Sequence, residues 1–166
     1  MTDANAPQLT LDHSTFVEAA PEQIYPLISD ITRFGEWSPE STGGEWLTGA
    51  PGEVGSRFRG DNSNGDRTWS SECEVVAAEP GKRFAFGVLT GSERTDNSVW
   101  SFEVEPEGSG SRLTQRYVLR ELTGPIKEFL AQQEDGGAQF IATRTEVLRD
   151  ALRQTVEGVK KSAEQN

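Results

Sequence analysis

The sequence is poor in side chains that bind metals or carry out redox chemistry, since its 166 residues include one cysteine, one histidine and one methionine. Cys73 therefore has no second cysteine with which to form an intramolecular disulfide. One cysteine and one histidine cannot supply an ordinary zinc or haem site, and the acidic residues do not follow EF-hand spacing. Neither G-x-x-x-x-G-K-[ST] nor a G-x-G-x-x-G motif after a strand occurs. We expect no metal and no cofactor.

Positive charge and long apolar runs are also scarce. Sixteen Lys and Arg residues stand against 27 Asp and Glu, which gives a net charge of −11. Nucleic acids and anionic membranes repel such a chain. No stretch approaches the roughly 20 apolar residues of a membrane-spanning helix, and residues 1–10 lack the basic start and apolar run of a signal peptide. The sequence predicts a cytoplasmic protein with no nucleic-acid partner and no integral membrane association, and it leaves the oligomeric state open.

Large apolar side chains are numerous enough for a folded core, with four Trp and eight Phe. The length suits a single domain, because a second domain would have no room for a core of its own. Residues 1–8 are small and polar, and the last residues show no apolar periodicity, so 1–8 and 163–166 are predicted to be flexible. The predicted domain spans residues 9–162.

The N-terminal part predicts one strand followed by two short helices. Residues 9–17 alternate between apolar and polar, which indicates a strand with one buried face. Pro21 suits the first turn of a helix, and the apolar residues after it repeat at helical spacing. A second, shorter helix follows within the next ten residues.

The stretch DITRFGEWSPE (residues 30–40) combines charged groups with aromatic rings, so it is a candidate for either chemistry or structure. Asp30 is placed to cap the second short helix through its backbone N–H groups. Phe34 and Trp37 lie one turn apart and are predicted to face inward. Most of the stretch thus has a structural role, whereas Glu40 has no evident partner in the sequence.

The middle of the chain predicts an antiparallel meander of short strands. Asn64-Gly65 is a strong hairpin signal, and further Gly- and Pro-containing turns separate the later strands. Because side chains alternate between the two faces of a strand, parity gives the inward-facing residues. They are Trp69, Ser71, Cys73 and Val75; Phe84, Phe86 and Val88; Trp100, Phe102 and Val104; and Leu113, Gln115, Tyr117 and Leu119.

A long helix is predicted from Ala138 onward, because its apolar residues fall on one face. The order of elements gives an α+β fold in which a curved seven-stranded antiparallel sheet wraps around this C-terminal helix. Two short helices follow the first strand and close one end. A strongly bent sheet need not meet its covering helix everywhere, so an enclosed cavity between the two layers is expected.

Several segments resemble the polyketide cyclase/dehydrase and lipid-transport family of the START-like (SRPBCC) superfamily, which has the helix-grip fold. They are AAPEQIYPLISDITRFGEWSPE at 19–40, VGSRFRG at 54–60, TWSSECEVVAAEPGKRFAFGV at 68–88, and the terminal helix. The resemblance implies a deep cavity for a hydrophobic small molecule. Members carry lipids, sterols, plant hormones or polyketides, and some cyclise or dehydrate polyketides. The family shares no catalytic residue set, so the resemblance implies a ligand and leaves any reaction open.

Strand parity and the helical face give the predicted ligand-binding residues. They are Trp69, Ser71, Phe84, Phe86, Trp100, Phe102, Gln115, Tyr117, Ile141, Thr145 and Leu148. An enzyme of this fold would need a cavity-facing acid or base, and the weak catalytic candidates are Tyr117 and His13, with Glu40 at the mouth. Tyr117 can equally pack its ring, and His13 can be a half-exposed strand residue. Gln115 and Ser71 can satisfy each other or a buried water.

The register of the strand around Phe58 decides whether two arginines can reach a ligand. If Phe58 points inward, Arg57 and Arg59 point outward, and a shift of one residue would reverse this. Cys73 is predicted to be a small buried apolar residue, because no basic group near it in the sequence lowers its pKa.

We favour a protein that binds or transports a hydrophobic, lipid-like or polyketide-like molecule. The first alternative is a polyketide cyclase or dehydratase, of the cyclase/aromatase kind, that uses a cavity-facing acid or base. The second is a regulatory domain that binds another protein, whose sign would be an exposed apolar patch.

Overall fold

The computed structural model describes residues 7–89 and 94–165. The strands are β1 (Leu9–Val17), β2 (Ser41–Thr48), β3 (Arg57–Asn64), β4 (Arg67–Glu79), β5 (Arg83–Val88), β6 (Ser98–Glu107) and β7 (Gly110–Leu119). The helices are α1 (Pro21–Ile28), a 3₁₀ helix (Ile31–Glu36), α2 (Gly124–Ala131) and α3 (Ala138–Glu164). Residues 1–6 and 166, which were predicted to be flexible, lie outside the described residues.

The seven strands of the described chain form one antiparallel sheet in the order β1-β7-β6-β5-β4-β3-β2. Strands β2 to β7 pair each with the next, and β1 pairs with β7. The β3–β4 turn is the predicted hairpin, in which Gly65 has a φ of +64°, a left-handed conformation that glycine adopts without strain. The predicted α+β fold is confirmed, with its seven-stranded sheet, two short helices after β1 and long C-terminal helix.

Capping interactions mark the start of each of the two short helices. α1 starts at Pro21, and the Gln23 side chain accepts a hydrogen bond from the backbone N–H of Ala20 at 3.0 Å. Asp30 Oδ1 accepts from the backbone N–H of Thr32 at 3.1 Å and so caps the 3₁₀ helix, as the sequence predicts. These caps direct the chain from β1 across one end of the sheet to β2.

The C-terminal half of α3 packs tightly against the sheet and α1. Leu152, Val156 and Val159 on this half are fully buried. The helix continues to Glu164 and buries Ala163, so it extends two residues beyond the predicted domain boundary at 162. We call this part of the molecule the closed-end core. Its members include Val17, Ile24, Leu27, Ile28, Trp37, Phe102, Val104, Leu113, Val156 and Val159.

The N-terminal half of α3 is packed much less. Of residues 138–150, only Leu148 is buried. The covering helix and the sheet therefore interlock at one end of the molecule and leave space between them at the other.

Candidate ligand cavity

A cavity of about 440 Å³ lies between the inner face of the sheet and the N-terminal half of α3. This volume falls within the range of about 300–1,000 Å³ that is usual for small-molecule sites. Every strand contributes to the lining, together with Ile31 and Phe34 of the 3₁₀ helix and Ile126 and Leu130 of α2. Ile126 and Phe140 are each 38% exposed, so this side of the lining reaches solvent and forms a mouth.

The cavity is elongated along α3. Its lining includes α3 residues from Phe140 to Thr155, which at a rise of about 1.5 Å per residue cover about 20 Å. On β7, Leu113 belongs to the closed-end core, whereas the inward-facing residues from Gln115 to Leu119 line the cavity. The closed-end core thus forms the floor of the cavity, beside Gln115 and Thr155, and the mouth lies at the opposite end.

Aromatic rings form much of the wall. The Phe86 ring packs against Phe34 at 6.1 Å and against Phe58 at 5.0 Å between centroids. The Trp100 and Tyr117 rings lie 4.3 Å apart. Rigid rings of this kind offer a large apolar contact area to a ligand with little loss of side-chain entropy.

One ion pair crosses the cavity wall and joins the start of β2 to α3. The Arg144 guanidinium donates to both carboxylate oxygens of Glu40, at 2.6 Å and 2.9 Å. Asn64 Nδ2 donates to the same carboxylate at 2.8 Å. Burial raises the pKa of Glu40, but these hydrogen bonds and the Arg144 charge outweigh it and hold the pKa below its usual value. Glu40 is therefore an ionised, structural carboxylate at neutral pH.

Two guanidinium groups lie close to the Trp69 ring, next to this pair. The Arg67 guanidinium carbon is 4.8 Å from the centroid of the Trp69 ring, and that of Arg144 is 6.0 Å away. Cations over an indole face are stabilised by the ring quadrupole. Arg144 is thus held in the wall by contacts with both Glu40 and Trp69.

Two further polar side chains of the wall lie on β7. The Tyr117 hydroxyl is 3.0 Å from Ser98 Oγ, and burial raises the pKa of Tyr117 although Ser98 and the Arg144 charge oppose the shift. Gln115 is 7% exposed, and its Oε1 atom has no hydrogen-bond partner within residues 7–89 and 94–165. Tyr117 can act as a proton donor at neutral pH, and Gln115 offers a buried acceptor.

Cys73 lines the cavity as an unreactive thiol. Burial raises its pKa to about 12, and the Glu72 charge acts in the same direction. The thiol is therefore protonated at neutral pH, in keeping with its predicted role as a small buried residue.

Most of the residues predicted from strand and helix parity lie on the cavity wall. They are Trp69, Ser71, Phe86, Trp100, Phe102, Gln115, Tyr117, Ile141, Thr145 and Leu148. Arg57 and Arg59 point outward, since Phe58 between them is buried and they pair with acidic groups such as Glu74 and Asp61 on the outer face.

Two predicted residues do not line the cavity. Phe84 is fully buried in the cluster that contains Val75, and Tyr25 of α1 packs against this cluster. His13 lies on the inner face of β1, but α3 packs over β1 there, and His13 Nε2 is 3.9 Å from Glu157. The structure therefore gives no support to His13 as an acid or base acting in the cavity.

Sequence reasoning missed Arg144 as the partner of Glu40 and did not place the Phe140 and Ile126 side chains at a mouth. A signal for Arg144 was present, because it follows Ile141 by three residues and precedes Leu148 by four, so all three share one helical face. Nothing in the sequence pairs it with Glu40, which lies 104 residues away.

The described part of the chain contains no group of three or more His, Cys, Asp or Glu residues that could hold a metal ion. None of its helices is both long enough and apolar enough to cross a membrane.

Comparison with known proteins identifies the family. The family model "polyketide cyclase / dehydrase and lipid transport" matches residues 8–164. A polyketide-cyclase-like protein of Corynebacterium glutamicum, Cgl2372, is 30% identical, with 93% of this chain and 91% of that chain covered and a TM-score of 0.65. No curated protein matches the sequence.

More distant solved structures share the fold. TTHA0849 of Thermus thermophilus is 19% identical, with 93% and 97% of the two chains covered and a TM-score of 0.65. BexL, a di-domain ARO/CYC protein of the BE-7585A biosynthetic pathway, is 16% identical, with 94% of this chain and 50% of BexL covered and a TM-score of 0.70. The chain belongs to the polyketide cyclase/dehydrase and lipid-transport family.

Proposed function

We propose that this protein binds or transports a hydrophobic small molecule, lipid-like or polyketide-like, in the cavity between the sheet and α3. The single observation that carries the proposal is a space of about 440 Å³ with aromatic and aliphatic walls. A ligand of about 20 non-hydrogen atoms at about 0.3 kcal/mol per atom would bind with about 6 kcal/mol, which corresponds to a dissociation constant of tens of micromolar. We still predict that the protein is located in the cytoplasm.

A fluorescence titration with N-phenyl-1-naphthylamine tests the proposal, because this probe is neutral and its emission rises in apolar surroundings. Thr145→Trp would place a large ring in the cavity and is expected to weaken probe binding at least tenfold. Thr143 lies two residues away on the exposed face of α3, so Thr143→Trp is the matched control and should leave binding unchanged. Failure of the wild type to bind the probe, or equal binding by Thr145→Trp, would refute the proposal.

Native mass spectrometry of the purified protein addresses the identity of the ligand. A co-purified lipid or polyketide would appear as a discrete added mass that solvent denaturation removes. The same added mass should be reduced in Thr145→Trp and retained in Thr143→Trp.

The second candidate function is cyclisation or dehydration of a polyketide-like chain, and the Tyr117 hydroxyl in the wall favours it. Because its pKa is raised, this phenol is protonated at neutral pH and can donate a proton to a ligand oxygen. Tyr117→Phe keeps the ring and removes the hydroxyl. Loss of turnover of a poly-β-keto substrate with unchanged binding of N-phenyl-1-naphthylamine would support catalysis, whereas the absence of turnover in the wild type would leave binding as the function.

A further inference from the structure

The floor of the cavity holds a buried hydrogen-bond acceptor without a donor. Gln115 Oε1 is fully shielded from solvent and has no partner among the described residues, and the residue as a whole is 93% buried. An acceptor in this position is unfavourable as long as it is unpaired, because it has lost its bonds to water without replacement. The side chain lines the cavity, and rotation of its terminal amide would turn the oxygen toward a molecule inside.

Neighbouring hydroxyl groups do not serve this acceptor. Tyr117, two residues along the same strand face, is paired with Ser98 at 3.0 Å. Thr155, the last α3 residue of the lining, donates its hydroxyl to the backbone oxygen of Ala151 at 2.7 Å. The hydrogen-bond donor for Gln115 must therefore be a group other than these hydroxyls.

The position of Gln115 determines which part of a ligand it meets. Leu113, two residues before it, belongs to the closed-end core. Phe102, the β6 partner of Gln115, belongs both to that core and to the lining. A ligand that enters at the mouth, beside Ile126 and Phe140, reaches Gln115 with its leading end.

The charges around the cavity favour a neutral ligand over an anionic one. In the described lining the guanidinium groups are those of Arg67 and Arg144, which flank Trp69, and Arg144 is already paired with Glu40. No described cation lies at the floor, and the net charge of −11 disfavours anions. A carboxylate would find no described cation beside Gln115 and could not donate to its oxygen, whereas a neutral hydroxyl can.

We propose that Gln115 recognises a hydroxyl group at the buried end of the ligand, so that the cavity selects hydroxylated hydrophobes over molecules that end in hydrocarbon or ether. This inference rests on the proposed function and specifies its ligand class. A site built to hydrogen-bond a hydroxyl rejects the analogue that lacks it, because the buried polar group is then left unpaired. A phenol and an aliphatic alcohol supply the same donor.

Competition against N-phenyl-1-naphthylamine with matched ligand pairs tests the inference. The aromatic pair is 2-naphthol and 2-methoxynaphthalene, and the aliphatic pair is 1-decanol and 1-methoxydecane. The wild type is expected to prefer the hydroxyl compound about tenfold in at least one pair. The pair that shows the larger preference separates a phenolic ligand from a lipid alcohol.

Variants of Gln115 test whether its side-chain amide causes the preference for hydroxyl compounds. Gln115→Met keeps the length of the side chain, and Gln115→Leu provides a second apolar replacement if one of them folds poorly. Both are expected to abolish the preference while they still bind the methoxy compounds. Thr114→Val removes a hydroxyl from the opposite face of β7, outside the cavity lining, and should keep the preference.

The outcomes separate the two proposals. Equal binding of hydroxyl and methoxy compounds by the wild type, as expected if water serves the amide in both complexes, overturns the inference and leaves the binding function intact. A preference that persists in Gln115→Met and Gln115→Leu also overturns it. Binding of no naphthyl or decyl compound, and of no probe, refutes both proposals.

Discussion

Glu40 shows how a single residue can be essential to the wall of a cavity without acting on a ligand. Its side chain is 11% exposed and that of Arg144 is 36% exposed, so the carboxylate is the more deeply placed member of the pair. Removing a partner from a buried pair leaves the remaining charge unsolvated, which costs more than the pair itself contributes. Arg144 is therefore needed to keep Glu40 ionised where it is.

Arg144→Met is expected to lower the free energy of unfolding by about 2 kcal/mol at pH 7, less than the roughly 3–5 kcal/mol of a fully buried pair, because Arg144 is partly exposed. The folded-state pKa of Glu40 is depressed, so its contribution is fully present above the ordinary value of 4.5 and is lost as the pH falls through the folded pKa. Urea unfolding at pH 7 and pH 3.5 measures both quantities.

Arg149→Met is the control for this prediction, since Arg149 is an exposed arginine on the same helix. It should change the free energy of unfolding by less than about 0.5 kcal/mol at either pH. Glu40→Gln combined with Arg144→Met should recover part of the loss at pH 7. An equal loss of unfolding free energy for Arg144→Met at both pH values would contradict the assignment of Glu40 as an ionised partner of Arg144.

At the scale of the elements, the packing of α3 against the 3₁₀ helix depends on a glycine. A Cβ atom on Gly158 would lie 2.9 Å from both Cβ and Cδ1 of Trp37, closer than packed side chains allow. The Trp37 indole N–H also donates to Ser162 Oγ at 2.9 Å, so a hydrogen bond holds the ring against α3 about one turn beyond Gly158. The absence of a side chain at Gly158 thereby lets α3 approach Trp37 closely at the closed end.

Gly158→Ala is expected to destabilise the protein by about 1 kcal/mol. Alanine improves intrinsic helix propensity by about 1 kcal/mol, but the overpacking against Trp37 costs about 1–3 kcal/mol and the backbone of α3 must shift. Urea unfolding measures the net effect, and near-ultraviolet circular dichroism reports the displaced indole. Lys161→Ala, on the exposed face, should be neutral within about 0.5 kcal/mol, and stabilisation by Gly158→Ala would show that the contact is looser than described.

The elements themselves were predictable from the sequence, because they depend on local signals. Alternation predicted the strands, Asp30 predicted a cap, and Asn64-Gly65 predicted a hairpin. Which inward residues face open space was not predictable in the same way. Phe84 and Phe86 share a strand face, yet the first is fully buried outside the cavity and the second lies on the cavity wall. Parity gives the face of a sheet, whereas the position of the covering helices decides where that face is filled.

The ion pair shows a second limit of prediction from sequence. Glu40 had no evident partner in the sequence, because its pairing with Arg144 depends on the way the whole sheet brings the start of β2 to α3. A contact between residues this far apart in the chain leaves no periodic pattern. His13 illustrates the converse, since its strand parity was inward but its neighbour is Glu157 on the packed half of α3.

At the scale of the whole molecule, binding and folding are linked. A ligand that binds the folded protein at 100 times its dissociation constant should raise the free energy of unfolding by about 2.7 kcal/mol. For a chain of this length the melting temperature should rise by roughly 5–11 °C. Differential scanning fluorimetry over a range of concentrations of N-phenyl-1-naphthylamine measures the shift. Thr143→Trp should show the same shift, whereas a shift of equal size in Thr145→Trp would mean that the probe binds elsewhere.

The uneven packing of α3 has a consequence for the motions of the native state. Backbone amides near Val156 and Val159 should exchange with deuterium only on global unfolding, whereas those of residues 138–150 should open in smaller, more frequent fluctuations. One continuous helix would then have a slow-exchanging end and a fast-exchanging end. The fast-exchanging end borders the mouth, so the same local opening would set the rate at which a guest molecule enters and leaves.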